Sequence, residues 1–157
     1  MKALIVYATK YGCTADCAAY LQSKLPGGAT LHDINSAAQV ELDGYDTIII
    51  GAPVYVGKVA KKLRGFCESN LDVIVKKRVG VFLCCALAEQ AGEALAGNFP
   101  KVLLDNAVIT KVFGSEARLD KMSFIDKTMI KMVTKGDFSN FKISYDNIDE
   151  FVREIIG

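Results

Sequence analysis

Lys2-Ala3-Leu4-Ile5-Val6-Tyr7-Ala8-Thr9-Lys10-Tyr11-Gly12-Cys13-Thr14 is the stretch on which the reading of this chain turns. Its first half, Lys2 to Tyr7, is a near-continuous apolar run. It lacks the polar alternation of a half-solvated strand and reads as a strand covered on both faces. Ala8 to Cys13 is a turn. From Thr14 the spacing becomes helical, with Cys17, Leu21 and Leu25 on one stripe, and Pro26-Gly27-Gly28 stops that helix. Strand, short turn and helix in succession open a parallel α/β arrangement.

Working outward, the alternation continues. A weak strand lies around Ala29 to Asp33, and a stronger one, Thr47 to Gly51, ends at Ala52-Pro53. Lys58 to Glu68 reads as a helix, Arg78 to Cys85 as strand four, and Glu89 to Leu103 contains a further helix. Strand five runs through Val108 to Phe113. Asp120 to Thr134 then shows helical spacing, with Phe124, Ile125, Met129, Met132 and Val133 mostly to one side. Lys121, Lys127, Lys131 and Lys135 take the remainder, Gly136 ends it, and the expected packing is an apolar stripe that closes the sheet with the lysines in solvent. A last helix covers Tyr145 to Ile156. No repeat or linker divides the 157 residues. The expectation is one domain, residues 1–157, built on a doubly wound five-stranded parallel sheet. Helices cover both faces, with an extra helix after strand five. The binding crevice then lies at the carboxyl ends of the strands.

Composition narrows the function classes. With 19 basic and 18 acidic residues the net charge is +1, which gives no general attraction to nucleic acid. No stretch approaches the roughly 18 to 20 apolar residues of a membrane span, and Ala3 to Val6 is too short for an export signal. A cytoplasmic protein is expected. Five cysteines without CxxC spacing, and His32 as the one histidine, give no recognisable metal pattern. No metal site is expected, and the thiols read as small buried hydrophobes.

Three loops reach the crevice. In the first, Thr9, Lys10, Tyr11, Gly12, Cys13 and Thr14 supply two hydroxyls, a glycine and the amides of a helix start. Together they can surround a phosphate, and the helix dipole favours the anion. An ordinary capped helix after a turn is the plain alternative. No Gly-Lys-Ser/Thr ending is present, and Gly12 is the only glycine where a dinucleotide fingerprint needs three. Neither Cys13 nor Cys17 is followed within a turn by the Arg that a cysteine phosphatase of this fold requires. Strand three ends Ile50-Gly51-Ala52-Pro53, without the Asp of a receiver domain. The second loop, Pro53-Val54-Tyr55-Val56-Gly57, offers an aromatic and apolar wall suited to an isoalloxazine ring. Gly57 there lets a neighbouring peptide turn over beside the flavin N5. The third, Cys85-Ala86-Leu87, would contact the flavin edge through its backbone. One phosphate and no dinucleotide signature point to FMN.

Thr9-x-x-Gly12-x-Thr14 after strand one, with Gly51-Ala52-Pro53-x-Tyr55-x-Gly57 after strand three, resembles the flavodoxin family over nearly the whole chain. The resemblance implies that Thr9, Tyr11, Gly12, Cys13 and Thr14 surround the FMN phosphate and that the protein transfers electrons to a redox partner. Lys10 and Tyr11 depart from the small hydroxyl residues common there. The usual third-loop aromatic is missing between Cys84 and Glu93, which leaves one ring face to aliphatic groups or solvent. Ser123-Phe124-Ile125-Asp126-Lys127-Thr128-Met129-Ile130-Lys131-Met132-Val133 is similar to a segment of the menaquinone-dependent protoporphyrinogen oxidases, a flavodoxin-like branch. That likeness implies the alternative, an enzyme passing electrons from a tetrapyrrole to a quinone. Its Lys121–Lys135 helix would make a peripheral contact with the inner face of the membrane. Only Gly114 to Lys121 separate strand five from this helix, so the branch's insert is short here. A nicotinamide-dependent quinone reductase ranks last, for want of a nicotinamide fingerprint. A monomer or weak dimer is expected.

Overall fold

The computed structural model describes all 157 residues. The strands are β1 Ala3–Tyr7, β2 Ala29–Asp33, β3 Thr47–Pro53, β4 Arg78–Cys84 and β5 Ala107–Val112. They form one parallel sheet in the order β2-β1-β3-β4-β5. The apolar runs are central because helices cover both faces of the sheet. Leu4, Val6, Ile48, Ile50, Val79, Val81 and Leu83 point to one layer, and Ala3, Ile5, Ile49, Phe82 and Cys84 to the other. Alternate side chains of a strand must diverge in this way.

The first layer is closed by α2 (Lys61–Ser69), α3 (Leu71–Ile74), α4 (Ala91–Asn98) and α5 (Lys101–Asn106). The second is closed by α1 (Cys13–Lys24) and α7 (Tyr145–Ile156). Phe82 stacks on Phe113 at 4.4 Å between centroids, and Phe151 of α7 meets both rings edge-on. Gly80 makes room for this, since a Cβ there would stand 2.5 Å from the Phe151 ring.

Several boundaries differ from the sequence reading for local reasons. The second helix begins at Lys61, because Lys58 is paired with Tyr55 in a tight turn. The stretch expected to hold one helix after strand four holds two. Phe99 is extended, and Pro100 lacks the amide needed to continue α4. The segment between β2 and β3 carries no helix. The extra helix, α6 (Phe124–Thr134), begins later than expected, with Ser123 as its cap accepting from the Asp126 amide. No residue of α6 is buried, so its apolar stripe does not close the sheet. No helix of the chain is long and apolar enough to cross a membrane.

Candidate functional site

The chain leaves β1 for α1 toward β2 and later crosses to β3 on the other side of β1. That reversal opens a crevice at the carboxyl ends of β1 and β3. Loop one, residues 8–12, lies there. Gly12 ends it at φ +92°, and a Cβ on Gly12 would also stand 2.8 Å from Nη1 of Arg118. The left-handed backbone is what requires glycine, since the Arg118 guanidinium could shift. The Gly12 amide donates to Thr9 Oγ1 at 3.0 Å, which holds the loop closed around the helix start. The amides of Cys13, Thr14 and Ala15 donate to no backbone carbonyl, as the first turn of a helix dictates.

Thr14 is 1% exposed, and its Oγ1 is the one buried side-chain nitrogen or oxygen without a hydrogen-bond partner. A buried hydroxyl left unpaired costs about 1–3 kcal/mol. It faces a small cavity of about 30 Å³ shared by Thr9, Lys10, Tyr11, Cys13, Pro53, Val54, Tyr55 and Cys84, with Ser115 and Glu116 from beyond β5. An unpaired hydroxyl among free amides at a helix N-terminus suits an anion with several acceptor oxygens.

Loop two folds as a two-residue turn. Tyr55 and Lys58 exchange both backbone hydrogen bonds at 2.9 Å, with Val56 at φ +49° and Gly57 at φ +71° between them. Asn98 of α4, a residue that sequence reasoning did not single out, fixes this turn. Its Nδ2 donates to the Gly57 carbonyl at 2.8 Å, and its Oδ1 accepts from the Val59 amide at 3.0 Å. The Val56 carbonyl and the Gly57 amide have no partner. Of the two peptides beside Gly57, the one before it is therefore free to turn over and the one after it is held. Burial raises the Tyr55 phenol above its ordinary pKa and keeps it protonated.

A larger cavity of about 560 Å³ joins the loops. Val54, Tyr55, Val56 and Gly57 line it from loop two, and Cys85, Ala86 and Leu87 from loop three. Met122, Asp126, Met129, Ile130 and Val133 line it from α6 and the turn before it, and Phe141 from the segment after. Its size falls within the few hundred to about 1,000 Å³ usual for a cofactor pocket. Every residue singled out from the sequence lines one of the two cavities except Gly12, which shapes the loop beside them.

The α6 helix is tied to loop one through Asp126. Its carboxylate accepts from Lys10 Nζ at 2.5 Å and from the Tyr11 hydroxyl, while the Ser123 amide donates to that hydroxyl at 3.2 Å. The Lys10 and Tyr11 hydrogen bonds hold Asp126 below the usual carboxylate pKa. The departures Lys10 and Tyr11 thus have a structural role, as partners of the extra helix. Arg118 donates to the Tyr11 carbonyl and pairs with Asp16 at 2.6 Å and Glu116 at 2.9 Å. None of these partners is within 100 positions of loop one except Asp16, and no local pattern announces them.

Cys13, Cys17 and Cys84 meet beneath loop one, all buried. Hydrogen bonds from Cys17 and then Cys84 hold the Cys13 thiol below its ordinary pKa, and both donors are raised in turn.

A family model described as a flavodoxin domain matches residues 4–142. A curated flavodoxin from Trichodesmium erythraeum (strain IMS101) is 28% identical over 156 residues, covering 93% of this chain and 88% of that protein. The crystal structure of oxidised Flavodoxin 1 from Bacillus cereus superposes with a TM-score of 0.58 at 15% identity, over 99% of this chain and 97% of that one. A Fusobacterium nucleatum flavodoxin mutant bound to flavin mononucleotide gives a TM-score of 0.53 at 16% identity, over 99% and 95%. At such identities the two structures establish the fold.

Proposed function

The chain belongs to the flavodoxin family, and from that premise we propose that it binds one FMN in the crevice described above and carries electrons between redox partners. The observation that carries the reading is the unpaired, buried Thr14 hydroxyl among free helix-start amides. Bound FMN supplies reversible electron transfer at its isoalloxazine ring.

The residues divide the work. Thr14 donates its hydroxyl to the phosphate, as do the amides of Cys13 and Thr14, and Gly12 lets the backbone come close. Thr9 keeps its own hydroxyl proton for the anion, since its oxygen accepts from Gly12. Lys10 and Tyr11 belong to the same loop, with their ammonium and hydroxyl held by Asp126. Pro53, Val54, Tyr55, Val56 and Gly57 provide the wall for the ring, and Cys85, Ala86 and Leu87 its opposite edge. Met129, Ile130 and Val133 line that space from α6. The whole chain acts as one domain in this reading. Titrating the flavin-free protein with FMN and with riboflavin tests it. FMN binds one per chain and far more tightly than riboflavin; equal affinities would defeat a phosphate cradle.

One observation favours a second reading, the quinone-linked oxidase. Phe124, Ile125, Met132 and Val133 stand exposed on α6, which also carries Lys127 and Lys131 and whose Val133 lines the larger cavity. Apolar side chains flanked by lysines suit an anionic membrane surface, with about 1 kcal/mol from each lysine near it. On that reading the protein sediments with anionic vesicles, less so in salt and less again as Lys127→Gln with Lys131→Gln. A protein that stays in the supernatant at low salt is the carrier alone.

A further inference from the structure

We propose that Cys13, Cys17 and Cys84 form a three-thiolate binding site for one soft metal ion. Their sulfur atoms all lie within 4.8 Å of one another. Three thiolates at about 2.3 Å from a shared ion stand about 4.0 Å apart, so the ion needs little rearrangement. Cys13 and Cys17 are four residues apart on α1 and share a face of it. Cys84 arrives from the end of β4, in the same layer of the core. The spacing along the chain conceals this set, because its third member is 67 positions from the second.

The other two cysteines do not join it. Cys67 lies in the opposite layer, and Cys85 donates its thiol to the Leu87 carbonyl. No carboxylate or imidazole is part of the group. An all-sulfur set favours cuprous copper, zinc or cadmium over magnesium or calcium. Cys13 and Cys84 also line the small cavity of about 30 Å³. That space admits a water at a fourth position and gives the ion a route in from loop one.

A divalent ion held by three thiolates forms a complex of net charge −1. One feature opposes that charge. Cys13 is the first residue of α1, at the positive end of the helix dipole, whereas the nearby Arg118 guanidinium is already paired with Asp16 and Glu116. The site itself does not depend on FMN. One consequence rests on the FMN reading: the anionic complex lies under the phosphate loop, so ion and FMN weaken each other, by about fivefold or more.

Cadmium is the probe. The reduced protein as purified is dialysed against Cd²⁺, its metal content measured, and its ¹¹³Cd NMR spectrum recorded. One cadmium per chain with a chemical shift of sulfur-only ligation is expected. Cys17→Ala and Cys84→Ala each lower the affinity at least tenfold, and Cys67→Ala leaves it unchanged. Circular dichroism identifies any variant that fails to fold, and the shift measured on the native chain stands without the variants. No uptake, a shift typical of oxygen or nitrogen ligands, or uptake surviving in folded Cys17→Ala and Cys84→Ala proteins would overturn the site. A folded site that binds cadmium without changing FMN affinity would leave it standing and count only against the coupling.

Discussion

Val56 sits at φ +49° with a branched Cβ and 78% of its surface exposed, so almost no packing repays that conformation. A left-handed backbone costs an L-residue about 1–2 kcal/mol, and Asn bears it more easily because its short side chain bonds locally. Val56→Asn should therefore stabilise the flavin-free protein by about 1 kcal/mol, read from its urea midpoint. An unchanged or lower midpoint would mean that the turn holds no strain. The strain lies beside the Val56–Gly57 peptide, whose carbonyl and amide are both unpaired. Strained residues of this kind cluster at ligand clamps, which agrees with the ring wall proposed for this loop. Asn98 keeps the rest of the turn from relaxing with it.

Among the elements, α6 is the one whose packing the sequence misstates. Its spacing is helical and its Ser123 cap is conventional, so the helix itself was legible. Its destination was not. An amphipathic stripe reads the same whether it covers a sheet or a ligand cavity, and here it lines the cavity while much of it stays exposed. Its tether is the Asp126 pair with Lys10, half-exposed on the lysine side, and such a pair contributes at most about 1 kcal/mol. Because the folded pKa of Asp126 is depressed, the tether is complete above the ordinary carboxyl value of 3.8 and weakens as pH falls through the lower folded value. NMR shifts of the Tyr11 ring should show an inflection below pH 3.8, absent from Asp126→Asn. An inflection at or above that value would place the carboxylate away from Lys10 and Tyr11.

At the scale of the molecule, five parallel strands, the central three of them buried, and the three loops at their carboxyl ends follow from apolar runs, turn residues and the right-handed crossover. Loop one could be read because its hydroxyls, its glycine and the helix start are contiguous. Asn98, Glu116, Arg118 and Asp126 could not, because tertiary folding delivers them from distant segments. The same holds for the meeting of Cys13 and Cys17 with Cys84. The family accounts for the architecture, and the proposed anion site rests on the unpaired Thr14 hydroxyl. Thr14→Val keeps the side-chain shape and removes only that hydroxyl. The measurement is calorimetric titration of flavin-free Thr14→Val with FMN and with riboflavin, alongside the native chain. FMN affinity should fall by about 1.5–3 kcal/mol while riboflavin affinity stays the same; undiminished FMN affinity in a folded Thr14→Val protein would contradict the account.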